Sequence, residues 1–178
     1  YSKIDILINN AVNTTAPNIL DAKLSDFHSA FDTGVYGAFS LSREVYKQYM
    51  QKYGGSIINI ASMYGFVTSY PDVYKDLPFK SPCNYHSAKS SIIHLTRYLA
   101  SYWAKDNVRV NCISPGAFPN MKDTEEWKIF IKRLEDKVPL GRVGKPEELM
   151  GILLLLASDA SSYITGQNFI VDGGWSIW

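Results

Sequence analysis

GGSIINIAS, residues 54–62, is a short apolar run closed by a hydroxyl. Within it Ser56–Ala61 (SIINIA) is too brief for a helix and is dominated by isoleucine, which fits a strand buried on both faces. Three further runs share this character: Ile4–Asn9 (IDILIN), Val108–Ile113 (VRVNCI) and Asn168–Asp172 (NFIVD). Helical stretches lie between them. Leu24–Tyr53 is long enough for one bent helix or two. Ser87–Trp103 sets Ala88, Ile92, Leu95 and Leu99 on one stripe. Pro146–Ser158 opens with a proline and two glutamates, a favourable helix start because proline lacks the donor that would be orphaned and acids suit the positive end of the dipole. Strands alternating with helices of this length imply right-handed crossovers and a parallel sheet. The expected fold is α/β, a doubly wound parallel sheet in one domain over residues 1–178.

Composition narrows the function. The chain has 178 residues, 18 Lys+Arg against 17 Asp+Glu, and a formal charge of +1. So balanced a surface offers no field for a phosphate backbone or an anionic membrane, which argues against nucleic-acid and membrane partners. The longest uncharged aliphatic run, Ile152–Ala157, falls far short of the roughly 20 apolar residues that cross a bilayer. Two cysteines, Cys83 and Cys112, form no CxxC pair and have no metal-ligand spacing to a histidine, so no metal site is expected and a reducing, cytoplasmic setting is. GRVGK at 141–145 is no phosphate loop, since Pro146 stands where Ser or Thr is required.

In doubly wound sheets ligands bind beyond the carboxyl ends of the strands. The residues there are Asn9-Asn10-Ala11, Ser62 and Ser114-Pro115-Gly116. Each has a plain structural reading as well: Ser62 as a strand-end cap, the asparagines as turn formers, Pro115-Gly116 as a loop breaker. Tyr85 and Lys89, four apart at a helix start, share one face. A phenol of pKa about 10 handles protons poorly at neutral pH, and a neighbouring ammonium pulls it toward the working range. With 12 tyrosines in the chain, about one such pair arises by chance, so its weight comes from its place in the series.

The strings NNA at 9–11, GGSIINIAS ending at Ser62, YHSAK at 85–89, RVNCISPG at 109–116 and YITGQNFIVDGGW at 163–175 together resemble the short-chain dehydrogenase/reductase family along essentially the whole chain. The resemblance implies a Rossmann-type enzyme passing hydride between NAD or NADP and a small-molecule carbonyl or alcohol. It implies that Tyr85 exchanges the proton, that Lys89 lowers its pKa and holds the nicotinamide ribose, and that Ser62 bonds the reacting oxygen. Asn10 and Ala11 would line the cofactor cleft, and Pro115 and Gly116 would pass beside the nicotinamide. A homodimer or homotetramer is expected, with Leu99, Tyr102 and Trp103 facing another subunit. An epimerase or dehydratase of the same superfamily, or a non-catalytic scaffold, are the rival readings.

Three departures from the family pattern stand out. The glycine-rich phosphate turn is absent and the chain begins at Tyr1 almost inside a strand, so it reads as the C-terminal portion of a longer protein whose first βαβαβ half precedes it. Gly34, ahead of Gly37, occupies the position where the family usually carries a relay asparagine. Ser62 and Tyr85 are further apart than in most members. The extra residues, roughly Ser69–Pro82, are expected to form a substrate-side flap using Tyr70, Tyr74 and Phe79. The string SMYGFV leans weakly toward members associated with surface-glycan and flagellin modification. His86 is expected to face solvent or cap a helix, and Asn59 and Asn111 to bond neighbouring backbone.

Overall fold

The computed structural model describes residues 3–15, 17–120 and 122–178. Four strands, β1 (Ile6–Asn9), β2 (Gly55–Ile60), β3 (Val108–Pro115) and β4 (Asn168–Val171), form one all-parallel sheet in sequential order. All four lie where the apolar runs predict, within two residues at either end. Helix α1 runs unbroken over residues 24–53, and two π turns, Asp32–Tyr36 and Tyr46–Met50, accommodate its bend. Helix α2 is Cys83–Trp103, α3 is Glu125–Glu135 and α4 is Met150–Ala157, the last preceded by a 3₁₀ turn at Pro146–Leu149.

Alternation along the strands divides the core. Ile57, Val108 and Val110 pack with Val45, Met50 and Leu99 of α1 and α2, and Cys112 packs with Ala38, Ile92 and Ile93. Ile58 and Ile113 face the other way onto Leu156 of α4. Helices therefore cover both faces of β2 and β3, as a doubly wound sheet requires. Strand β1 differs from the expected two-sided burial. Leu7 joins the α1–α2 core, but Ile6 and Ile8 are 43% and 45% exposed, because α4 does not extend over β1.

Buried polar groups pin the layers together. Asn9 Nδ2 donates to Ser42 Oγ at 3.0 Å and to Asn59 Oδ1 at 2.8 Å, and Asn59 Nδ2 donates to Thr96 Oγ1 at 2.9 Å. Asn59 thus bonds side chains of β1 and α2 rather than the neighbouring backbone. Asn111 does bond backbone, donating to Ile164 O and accepting from Gln167 N.

Helix α3 is absent from the sequence expectations, although its signals are present. Thr124 accepts from Trp127 N, Glu125 and Glu126 occupy the first turn, and Trp127, Phe130, Ile131 and Leu134 make an apolar stripe. That stripe builds a further core with Met63, Val73, Tyr74, Leu77, Val138 and Trp175. Trp175 is 1% exposed at its centre. Trp175→Ala is expected to cost roughly 3–5 kcal/mol of unfolding free energy, measured by denaturant titration.

Candidate active site

Ser62 follows β2 directly, and its Oγ accepts the backbone N–H of Tyr64 at 3.2 Å, so the cap expected of a strand-end serine is real. The same hydroxyl acts on Tyr85, one turn into α2. Burial raises the Tyr85 phenol above its ordinary value, and the Ser62 hydroxyl opposes that shift by bonding the phenolate form. Lys89 lies one turn further along. Its Nζ donates to the carbonyl of Ile60 at 2.6 Å and sits 5.7 Å from the centre of the Tyr85 ring. Lys89 is 5% exposed, and burial lowers its pKa to about 8. Hydroxyl, phenol and ammonium therefore meet at the carboxyl end of β2.

The electrostatics differ from the sequence expectation in one respect. The dominant influence on Tyr85 is desolvation, and its pKa moves up, not down. The Lys89 ammonium is turned toward the Ile60 carbonyl, and its own charge is disfavoured by burial. The resting phenol is therefore protonated at neutral pH, the form a reduction draws on.

Other rim residues fall in different places. Asn10 and Ala11 stand exposed one step beyond the last β1–β2 pairing, Asn9 with Asn59. Asn9, not Asn10, supplies the buried amide. Pro115 ends β3. Gly116 lies against the C-terminal turn: a Cβ there would come 2.5 Å from Asp172 Cα, and Gly116 N donates to Val171 O at 2.9 Å. Packing alone therefore accounts for this glycine.

Of the aromatics expected in a substrate-side flap, Tyr70 and Phe79 turn inward, while Tyr74 lines a cavity at the start of α2. Tyr70 packs on Trp175, and Phe79 packs on Trp127 and Phe130. Tyr74 is buried against Phe130, and its hydroxyl lies 3.2 Å from that of Tyr64. The α3 stripe draws these rings inward. His86 is neither solvent-facing nor a cap: its ring stacks on Tyr64 at 4.6 Å, and its Nε2 lies 2.8 Å from Ser81 Oγ. Tyr64, which burial holds firmly protonated, carried no spacing signal in the sequence. Leu99 is buried in the core and Trp103 stacks on Tyr46, so of the three residues expected to face another subunit only Tyr102 points outward, beside Tyr98.

A family model described as enoyl-(acyl carrier protein) reductase, of the short-chain alcohol-dehydrogenase type, matches residues 1–176. The chain belongs to the short-chain dehydrogenase/reductase family. It is 35% identical over 178 residues to 2-dehydro-3-deoxy-D-gluconate 5-dehydrogenase of Dickeya dadantii, covering 98% of this chain and 66% of that protein. A short-chain dehydrogenase from Leptospira borgpetersenii, solved with bound NAD+, superposes with a TM-score of 0.85 at 36% identity, over 97% of this chain and 65% of its own. A gluconate 5-dehydrogenase from Burkholderia cenocepacia, solved with NADP and tartrate, gives a TM-score of 0.86 at 27% identity, over 99% and 66%. The chain thus spans just under two thirds of the length of these relatives.

The short-chain dehydrogenase rim fits a nicotinamide cofactor. Lys89 Nζ meets one acceptor in the described residues, leaving N–H groups for ribose hydroxyls, and the exposed Asn10–Ala11 segment follows the strand paired with β2. Lys89, Tyr85, Asn10 and Ala11 are the residues that would hold it.

At the family's relay position, Gly34 is buried in the first π turn of α1, and an added Cβ would meet nothing within 4 Å. Gly34→Asn is therefore expected to fold normally and to leave turnover equal or higher. A large loss of activity in steady-state assays would show that Gly34 is not the relay position.

Proposed function

We propose that the protein is an NAD(P)-dependent oxidoreductase that passes hydride between nicotinamide and a carbonyl or alcohol carbon, with Tyr85 as general acid/base. The convergence of Ser62, Tyr85 and Lys89 at one strand end carries this reading. When bound, the nicotinamide gives hydride to the substrate carbon or takes it away. Ser62 donates a hydrogen bond to the reacting oxygen and holds it beside the Tyr85 hydroxyl. In reduction Tyr85 gives its proton to that oxygen as negative charge grows there. The phenolate left behind is stabilised by the hydroxyl it has just protonated and by the Lys89 ammonium one turn away. Oxidation of an alcohol runs the same transfer backwards. No relative named above bears on surface-glycan or flagellin modification, and the substrate class is a small-molecule carbonyl or alcohol. Assembly as a homodimer or homotetramer through the exposed Tyr98–Tyr102 face belongs to the same reading.

Tyr85→Phe is expected to lower kcat about 10²–10⁴-fold while cofactor binding, followed by fluorescence titration, persists. Reduction is expected to fall as pH rises through about 8, where Lys89 loses its charge, and Lys89→Met removes that limb from the pH profile.

Lys89 also ties stability to pH. Its folded pKa of about 8 lies below the unfolded 10.5, so between these values the unfolded chain binds more protons. The Lys89 contribution is unfavourable below pH about 8, and the penalty disappears as pH rises to 10.5. Lys89→Met removes a penalty of roughly 3 kcal/mol at pH 7 and forfeits the bond to Ile60, worth about 1 kcal/mol, so unfolding free energy is expected to rise by about 2 kcal/mol, with the gain vanishing near pH 10 in denaturant titrations.

A further inference from the structure

Beside the Ser62–Tyr85–Lys89 cluster lies a cavity of about 570 Å³ that the proton transfer does not use. Its size falls within the roughly 300–1,000 Å³ of small-molecule sites. It opens between the segment after β1 around Asn18 and Ile19, the 68–81 loop and the first turn of α2. Among the described residues its lining carries the Lys80 ammonium, the His86 imidazole, the Asn18 amide and several hydroxyls, set among apolar groups such as Ile19 and Pro71, with no carboxylate.

The two nitrogen donors are fixed in place. Lys80 Nζ donates to the Tyr74 carbonyl at 2.7 Å and has further N–H groups without an acceptor in the described residues. His86 is clamped between the Tyr64 ring and Ser81. Burial lowers its pKa, so the ring is neutral at pH 7. Nε2 is engaged by Ser81, in a direction that follows the tautomer, and Nδ1 is left to face a ligand. The His86 and Tyr85 ring centres are 6.4 Å apart. The His86 ring thus stands close to a reacting carbon held at Tyr85, and Lys80 lines the same cavity as His86.

An ammonium, an imidazole and several hydroxyls without an acid suit a ligand that is anionic at one end and hydroxylated along its length. An amine would be repelled by Lys80, and a wholly apolar chain would strand the polar lining. We propose that this cavity receives the carboxylate end of a polyhydroxylated acid whose reacting carbon lies at Ser62 and Tyr85, with Lys80 and His86 as specificity-determining residues. The reacting end rests on the oxidoreductase reading; the acid end rests on the cavity alone.

D-gluconate and D-glucitol are matched probes, alike in carbon chain and differing at one terminus, a carboxylate against an alcohol. Titration calorimetry on the complete protein is expected to show gluconate binding about tenfold more tightly or better. Lys80→Met should remove that preference, Lys80→Arg should retain part of it, and His86→Gln should reduce it. Equal affinity for both probes, no binding of either, or a preference that survives both Lys80→Met and His86→Gln overturns the proposal. Should Lys80→Met disturb the loop, seen as a lowered thermal midpoint, His86→Gln alone decides. Assays of the same pair with NAD+ and NADP+ separate the two readings. Preferential binding without turnover of any alcohol keeps the acid site and sinks the oxidoreductase reading. Turnover of alcohols with no preference for the acid does the reverse.

Discussion

The hydrogen bond from Lys89 Nζ to the Ile60 carbonyl sets the geometry of everything around it. A charge so deeply buried is tolerated only where a fixed dipole meets it, and the end of β2 supplies that dipole. The bond holds α2 against the sheet and, one turn back, brings Tyr85 to Ser62. The approach is close enough to constrain the intervening loop. A Cβ at Gly65 would come 2.8 Å from the Lys89 carbonyl oxygen and 2.7 Å from Ile93 Cδ1, so only glycine lets the chain pass there. The proton-handling cluster is thus a product of helix–strand packing as much as of its side chains.

A second layer of order surrounds this contact. The loop from Met63 to Phe79 is held by α3 and Trp175, and the hydroxyls of Tyr64 and Tyr74 meet beneath it. Tyr64 stacks on His86 while its backbone N–H bonds Ser62, so one residue links the cavity wall to the catalytic hydroxyl. The aromatic residues serve the site by fixing its floor. Tyr70 and Phe79 make their contacts with Trp175, Trp127 and Phe130, and Tyr74 both packs on Phe130 and lines the cavity.

Much of this was legible from residue order. Strands β2 and β3 announce themselves because burial on both faces removes any polar alternation, and the Tyr85–Lys89 spacing places both groups on one face of α2 whatever else surrounds them. The exposure of Ile6 and Ile8 was not legible, since an isoleucine in a strand does not record whether a helix covers it. Tyr70 and Phe79 misled for a related reason. Their number and position suggested a flap, but their partners, Trp127, Phe130 and Trp175, lie some fifty residues or more away, in a helix whose Thr-Glu-Glu start went unread. The direction of the Tyr85 shift escaped as well, because desolvation depends on neighbours from several elements and the nearby lysine is only one of them.

The chain of amides and hydroxyls through Ser42, Asn9, Asn59 and Thr96 crosses from α1 through two strands to α2. Apart from Asn9 Oδ1, which has no partner among the described residues, each member satisfies the next, so losing one leaves a further polar atom stranded in the core, whereas exchanging neighbours jointly for apolar residues of similar shape need not. These four positions are consequently bound to one another in descent. Among homologues that keep this sheet they should covary as a set, and any lineage that abandons the ladder should abandon it whole.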